Sequence, residues 1–259
     1  MKESEALKIS IIQTGLHWED TEKNINMFSA KIDDIPGETD IIVLPEMFNT
    51  GFSMQATLLA EEMNGPTMRW MTEQAAKKQA VITGSMMIRE ENRYYNRLIW
   101  MQPDGTSVYY DKHHLFGLGS EHETFTAGDQ QLLIHYKGWK IFPVICYDIR
   151  FPVWLRNTMA YDLLLVVASW PERRIAHWDM LLKARALENQ CYVAACNRTG
   201  ADGQGIAHTG HSVFIDPAGE VLHMLTEEEI FSISIQKAQL KKIRRLYPFL
   251  RDRDHFHLE

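Results

Sequence analysis

The chain has 259 residues, 45% of them hydrophobic and 24% charged, a composition that excludes a disordered or fibrous protein. Its 27 basic residues against 34 acidic ones give a net charge of −7, which argues against a nucleic-acid backbone or an anionic membrane surface as partner. No apolar stretch approaches the ~20 residues that span a bilayer, and Cys146, Cys191 and Cys196 cannot all pair and lack CxxC spacing, so neither a disulfide framework nor a cysteine metal site is expected. The N-terminal run MKESEALKIS lacks the apolar core of a secretory signal, and with free thiols the expected compartment is the cytoplasm.

Lys8–Thr14 is a short β-rich run. After a candidate N-cap at Asp20 or Thr21, Ile25, Phe28, Ile32 and Ile35 recur at near-helical spacing until Pro36-Gly37 stops them. Asp40–Leu44 (DIIVL) is continuously apolar, as a strand buried on both faces requires, so the first 45 residues read as a βαβ unit. Gly65-Pro66 opens a second helix with proline at a tolerated first-turn position, and Ala80–Ile88 returns as a strand. Asn92–Met101, Thr106–Tyr110 and Gln131–Tyr136 read as antiparallel strands punctuated by Pro103-Asp104-Gly105 and Ala127-Gly128-Asp129.

A second βαβ unit echoes the first: strand Trp139–Ile145, helix over roughly Pro152–Ala160, strand Asp162–Ser169. An amphipathic helix over Ala176–Gln190, a strand from Tyr192 to Ala195 and a hairpin around Pro217-Ala218-Gly219 complete the pattern. Two similar halves of this kind imply an α/β fold, a four-layer α-β-β-α sandwich of two mixed sheets, and no change of composition marks a linker, so residues 1–259 are expected to form one domain. From about residue 235 a basic cluster (Lys241, Lys242, Arg244, Arg245, Arg251, Arg253) reads as a solvated or subunit-contacting tail.

Three residues end apolar strands and could carry chemistry. Cys146 in ICYDIRFP lies where a helix should begin, at the carboxyl end of a strand, a place that favours a thiolate and offers backbone N–H donors; a buried apolar filler is the alternative. Glu46 in IIVLPEMF is a carboxylate after four apolar residues, able to take a proton from a thiol, or else a solvent-facing loop residue. Lys112 in YYDKHHLF would by itself be an ordinary surface lysine.

Together, and in the order Glu46, Lys112, Cys146, these three resemble the carbon-nitrogen hydrolase (nitrilase) superfamily over essentially the whole chain. LPEMF with Gly51-Phe52 is similar to its glutamate motif, DKHHLF to its lysine motif and VICYDIRFP to its cysteine motif, while KARALENQCYVAACNRTG resembles the stretch that follows. The resemblance implies a Glu-Lys-Cys triad and no cofactor. In it Glu46 is the base and Cys146 the nucleophile, Lys112 and the backbone N–H of Tyr147 hold the oxyanion, and Glu121, two residues before Glu123, is the family's second glutamate. ICYDIRFPVW and VASWPERRIAHW look most like the omega-amidase branch, which acts on the terminal amide of short 2-oxo dicarboxylic acid monoamides such as 2-oxoglutaramate or 2-oxosuccinamate. Arg150 is then a candidate for the substrate carboxylate, or else an ion-pair partner of Asp148 or Asp162, and Phe48, Phe116 and Trp170 are candidate walls of a small pocket. A homodimer through helices flanking the cysteine is also implied.

Other readings are weaker. A papain-like enzyme would pair Cys146 with one of the eleven histidines, but that family's cysteine sequence is missing. A metal hydrolase could use His113-His114, or His208 and His211, but the latter pair lies three apart in a Gly-rich stretch with no acidic partner at metal-site spacing. N-carbamoyl hydrolase and nitrilase activities remain as alternatives within the superfamily, and a non-catalytic binding protein would be favoured only if a triad residue were missing.

Overall fold

The computed structural model describes residues 5–258; the N-terminal residues 1–4, which begin the run read as lacking a secretory signal, and residue 259 lie outside the described residues. The first half runs β1 (Ala6–Gln13), α1 (Thr21–Asp33), β2 (Ile41–Val43), α2 (Ala56–Leu59), α3 (Pro66–Lys78), β3 (Val81–Glu90), β4 (Arg93–Met101), β5 (Ser107–Asp111) and a one-turn α4 (Glu121–Thr124). Asp20 caps α1 as its spacing predicts, its carboxylate accepting from the Lys23 amide at 3.0 Å, and Pro66 occupies the first turn of α3.

The second half runs β6 (Ile134–Tyr136), β7 (Trp139–Ile145), α5 (Pro152–Leu155), β8 (Leu163–Ala168), α6 (Ile175–Asn189), β9 (Tyr192–Asn197), the small hairpin β10 (Thr199–Ala201) and β11 (Ala207–Thr209), then β12 (Val213–Ile215), β13 (Val221–Met224), β14 (Glu229–Gln236) and α7 (Lys237–Leu246). The strands form two six-stranded mixed sheets, ordered β14-β1-β2-β3-β4-β5 and β6-β7-β8-β9-β12-β13. Read in those directions, the pairings in both sheets run antiparallel, parallel, parallel, antiparallel, antiparallel. The two halves therefore repeat one design, with β2 and β8 in equivalent positions.

Side-chain alternation stacks the layers. In the first sheet Ile9, Ile11, Ile41, Val43, Leu98 and Trp100 join the core shared with the second sheet, whereas their neighbours Ile12, Ile42, Leu44, Ile99 and Met101 pack with Phe28 and Ile32 of α1 and Met68 and Met71 of α3. On the far side Trp178, Leu182 and Ala186 of α6 cover the second sheet. This is the four-layer α-β-β-α sandwich.

Three local expectations need correction. The helix expected over Pro152–Ala160 stops after one turn because Asn157 replaces the helical ladder: its side chain accepts from the Tyr161 amide at 2.8 Å and donates to the Tyr161 carbonyl at 2.9 Å. The strand expected from Gln131 begins only at Ile134. The C-terminal segment is no solvated tail at its start. The alternating run of β14 pairs with β1 along its full length, and Lys237 and Arg244 of α7 both bind Asp162, at 2.6 and 3.1 Å.

Candidate active site

The parallel strands of both sheets discharge at one edge, where ligands bind in open α/β sheets. Glu46 follows β2, Lys112 follows β5, Cys146 follows β7 and Ser169 follows β8. The exit of β2 is tied into the other sheet by the Glu46 amide, which donates to the Ala168 carbonyl at 3.4 Å. Lys112 is fixed by backbone bonds on both sides, its amide donating to Asn96 and its carbonyl accepting from Gly128, each at 3.0 Å. A Cβ at Gly128 would stand 2.4 Å from the Asp111 carbonyl, so only glycine allows that approach.

Glu46, Lys112 and Glu121 are wholly buried and in contact. The Lys112 ammonium donates to Glu46 Oε1 at 2.8 Å and to Glu121 Oε2 at 2.9 Å. Asn96 Nδ2 bridges the same two carboxylates at 2.8 and 3.0 Å, the Ser169 amide donates to Glu46 Oε2 at 2.8 Å, and the Phe116 amide donates to Glu121 Oε2 at 2.6 Å. Glu123, by contrast, is exposed and accepts from Ser120, so Glu121 is the acid that meets the lysine.

Cys146 sits in left-handed backbone, φ +46°, a costly conformation for a residue with a Cβ. A 3-10 turn, Cys146–Arg150, follows where the sequence led us to expect a regular helix, and it places the Tyr147 amide among the first N–H groups of the turn, which lack intrahelical partners. Asp148 holds this elbow. Its Oδ2 accepts from the Ile145 amide at 3.0 Å and from the Tyr110 hydroxyl at 2.8 Å, and its Oδ1 accepts from the His114 amide at 2.9 Å. One buried carboxylate thereby joins the lysine and cysteine segments.

The charges divide the work. Burial pushes the Cys146 thiol well above its ordinary range and the Glu46 carboxylate pushes it further, with Lys112 pulling the other way. Burial opposes the Lys112 charge, but Glu121 and Glu46 outweigh it and hold the ammonium above the usual lysine range. Burial also raises the Glu121 carboxyl, against the pull of Lys112. The site at rest thus combines a neutral thiol, a fixed cation and a neighbouring carboxylate able to receive the thiol proton.

These groups open on a cavity of about 160 Å³, which suits a small acyl group. Phe116, Trp170, Tyr147 and Arg150 line it. Phe48 does not. It is buried on the helix side of the first sheet, with ring centroids 5.7 Å from Phe28 and 5.8 Å from Trp70, so the expected wall residue is core. Arg150 takes neither expected acidic partner: Asp148 is occupied as above and Asp162 binds Lys237 and Arg244. Its guanidinium instead lies 4.7 Å from the centre of the Trp170 ring and bonds His177 Nδ1 at 3.2 Å.

Sequence reasoning missed several participants. Asn96 had a visible signal, an asparagine inside an apolar strand that disfavours it. Ser169 and Asn197 had none; Asn197 fixes Trp170, accepting from its amide at 2.7 Å and donating to its carbonyl at 3.1 Å. His208 reaches the cavity from β11, its pKa pushed down to about 4 by burial and by Arg198, and stays neutral. Its Nδ1 meets the Ile206 carbonyl at 3.0 Å, and His211 Nδ1 meets Asp179, so the two histidines weighed as a metal pair are engaged separately.

Comparison with known proteins gives one pattern. The model of the carbon-nitrogen hydrolase family matches residues 8–246. The chain is 42% identical over 256 residues to the omega-amidase YafV of Escherichia coli (strain K12), covering 97% of this chain and 98% of that protein. It is 36% identical to the 2-oxoglutaramate amidase of Bacillus subtilis (strain 168), covering 94% and 96%. The crystal structure of XC1258 from Xanthomonas campestris, a CN-hydrolase superfamily protein with an arsenic adduct in its active site, superimposes with a TM-score of 0.96 at 41% identity, covering 98% of this chain and 99% of that one.

Proposed function

Since the chain belongs to the carbon-nitrogen hydrolase family, we propose that it is an omega-amidase, a thiol amidohydrolase that releases ammonia from the terminal amide of small carboxylate-bearing amides such as 2-oxoglutaramate or 2-oxosuccinamate. The observation that carries the reading is the buried Lys112 ammonium between Glu46 and Glu121, beside Cys146 and at the wall of the same cavity. Glu46 takes the Sγ proton as sulfur attacks the amide carbon. The charge that appears on the carbonyl oxygen is met by Lys112 and the Tyr147 N–H, donors of a kind worth roughly 3–4 kcal/mol each. Glu46 then gives its proton to the departing nitrogen, ammonia leaves, and the same carboxylate activates the water that hydrolyses the thioester. Glu121 and Asn96 keep Lys112 and Glu46 in register throughout.

Support for the carboxylate end comes from Arg150, a cation at the cavity not paired with either acid expected of it. A homodimer belongs to the same reading, with exposed Val153 on α5, three residues after the nucleophile's turn, and exposed Met180 and Leu187 on α6, whose Arg185 bonds the Ile149 carbonyl of that turn, as does a cytoplasmic location; no helix among the described residues is long and apolar enough to cross a membrane. The test is ammonia release from 2-oxoglutaramate, succinamate, glutamine, an N-carbamoyl amino acid and a nitrile. Fastest turnover of the first two supports the proposal, and preference for the carbamoyl compound or the nitrile overturns it.

A further inference from the structure

Besides Lys112 and Arg150, two further cations line the cavity, the exposed Arg173 and the half-buried Arg174. Arg174, just before α6, lines it together with Arg150, and its guanidinium lies 4.9 Å from the centre of the Phe116 ring. Trp170 connects the two arginines: its indole N–H donates to the Arg174 carbonyl at 2.8 Å, and its ring carries the Arg150 guanidinium. Phe116 and Tyr147 pack edge to face, 5.2 Å apart, so the aromatic wall is continuous between the two cations.

A guanidinium over a ring keeps N–H edges available for an anion, and Arg150 engages only one of its nitrogens, with His177 Nδ1 at 3.2 Å. The acids nearby are engaged elsewhere. Asp202, which also lines the cavity, accepts from the Gln204 and Ile206 amides at 2.9 Å each, Asp148 holds the cysteine elbow, and Asp179 meets His211. Burial and the like charges of Arg173 and Arg150 act against the Arg174 cation. Two half-buried cations at one small cavity, neither of them ion-paired with a carboxylate among the described residues, form a site that an anionic ligand would stabilise.

Resting on the carboxylate-bearing amide reading above, we infer that Arg174 is a specificity-determining residue that forms, with Arg150, a two-guanidinium site for the free carboxylate of the substrate. The carboxylate lies between the two stacked guanidiniums while the amide reaches Cys146, so recognition is divided between the cysteine turn and the segment leading into α6. A neutral group in place of the carboxylate leaves both cations unpaired.

The test compares succinamate with succinamide, which exchanges the carboxylate for a neutral amide of the same size. In Arg174→Gln, KM for succinamate should rise about 10- to 100-fold with kcat much less affected, because a charge-assisted contact to the ground state is lost. The loss in kcat/KM for succinamide should be at least about fivefold smaller, and Arg174→Lys should recover only part of the succinamate loss, since a point charge replaces a planar fork. Equal losses for both amides, or an unchanged KM for succinamate, in an enzyme whose wild type prefers succinamate would overturn the role of Arg174 alone. A wild type indifferent to the carboxylate would overturn the substrate reading and the two-arginine site with it.

Discussion

The amide of Ser169 donates to Glu46 Oε2 at 2.8 Å across the junction of the two sheets. Glu46 follows β2 and Ser169 follows β8, the equivalent strands of the repeated design, so the proposed base is aimed by the partner sheet. Its other oxygen is held by Lys112 and Asn96. A carboxylate with both oxygens fixed keeps one geometry for the two tasks proposed for it, taking a proton from sulfur and returning it to nitrogen.

Glu46→Gln removes the proton acceptor with little change of volume. The expected loss in kcat is about 10²- to 10⁴-fold, the usual range for a general base, with the fold retained. Steady-state ammonia release alongside circular dichroism measures both. An activity within a few-fold of wild type would remove Glu46 from the proton path.

Glu121 gives a pH signature. Its folded-state carboxyl is raised above 4.5 by burial, so its contribution to stability is full below that value and is lost as pH rises through the folded pKa. Glu121→Gln removes this dependence. Melting curves should therefore show the mutant gaining on the wild type as pH rises from 4.5 toward neutrality; a constant difference across that range would mean that the carboxyl is not shifted upward.

Asp148→Asn exchanges one acceptor oxygen for a donor that faces either the Ile145 and Tyr110 donors or the His114 amide. A buried donor left without a partner costs about 1–3 kcal/mol, and the loss falls on the turn that holds Cys146 in left-handed backbone. Both Tm and kcat should drop, while KM for succinamate should move less. A lower Tm with normal turnover would make Asp148 a stabilising residue only.

Of the proposed triad, Glu46 and Cys146 were legible because each ends an apolar run, where a polar side chain is conspicuous, whereas Lys112 was legible only through the resemblance of DKHHLF to the family's lysine motif. Both βαβ units were legible through their apolar runs, DIIVL and DLLLVVAS. What surrounds the triad was not, since Asn96, Ser169 and Asp148 work through contacts between segments 38 to 123 residues apart in sequence. Phe48 was misplaced because its position two residues after Glu46 does not reveal which face it takes; the left-handed turn at Met47, φ +46°, intervenes. Of the basic cluster, Lys241, Lys242, Arg245 and Arg251 are exposed as read, but Arg244 is not, which was hidden because its partner Asp162 lies 82 residues away. The alternation in EIFSISIQ was a readable strand signal that the basic residues beyond it obscured.

Cys191 and Cys196 are both fully buried, with burial raising the Cys191 thiol to about 12 and the Cys196 thiol higher still. Their sulfurs meet the backbone carbonyls of Arg185 and Ile12, at 3.9 and 3.5 Å, away from the cavity. Cys191→Ser and Cys196→Ser should keep activity per folded molecule within about threefold of wild type, any larger effect appearing in Tm as the cost of a buried hydroxyl. Loss of turnover in either, with Tm unchanged, would place a second thiol in the reaction.

The most direct measurement is intact-protein mass spectrometry of enzyme quenched with acid during turnover of 2-oxoglutaramate, followed by peptide mapping. The expected species carries the mass of the substrate less ammonia, on the peptide containing Cys146, and is absent from Cys146→Ser, which should also release no ammonia. An adduct on another residue, or full ammonia release by Cys146→Ser, would show that the thiol at the end of β7 is not the nucleophile.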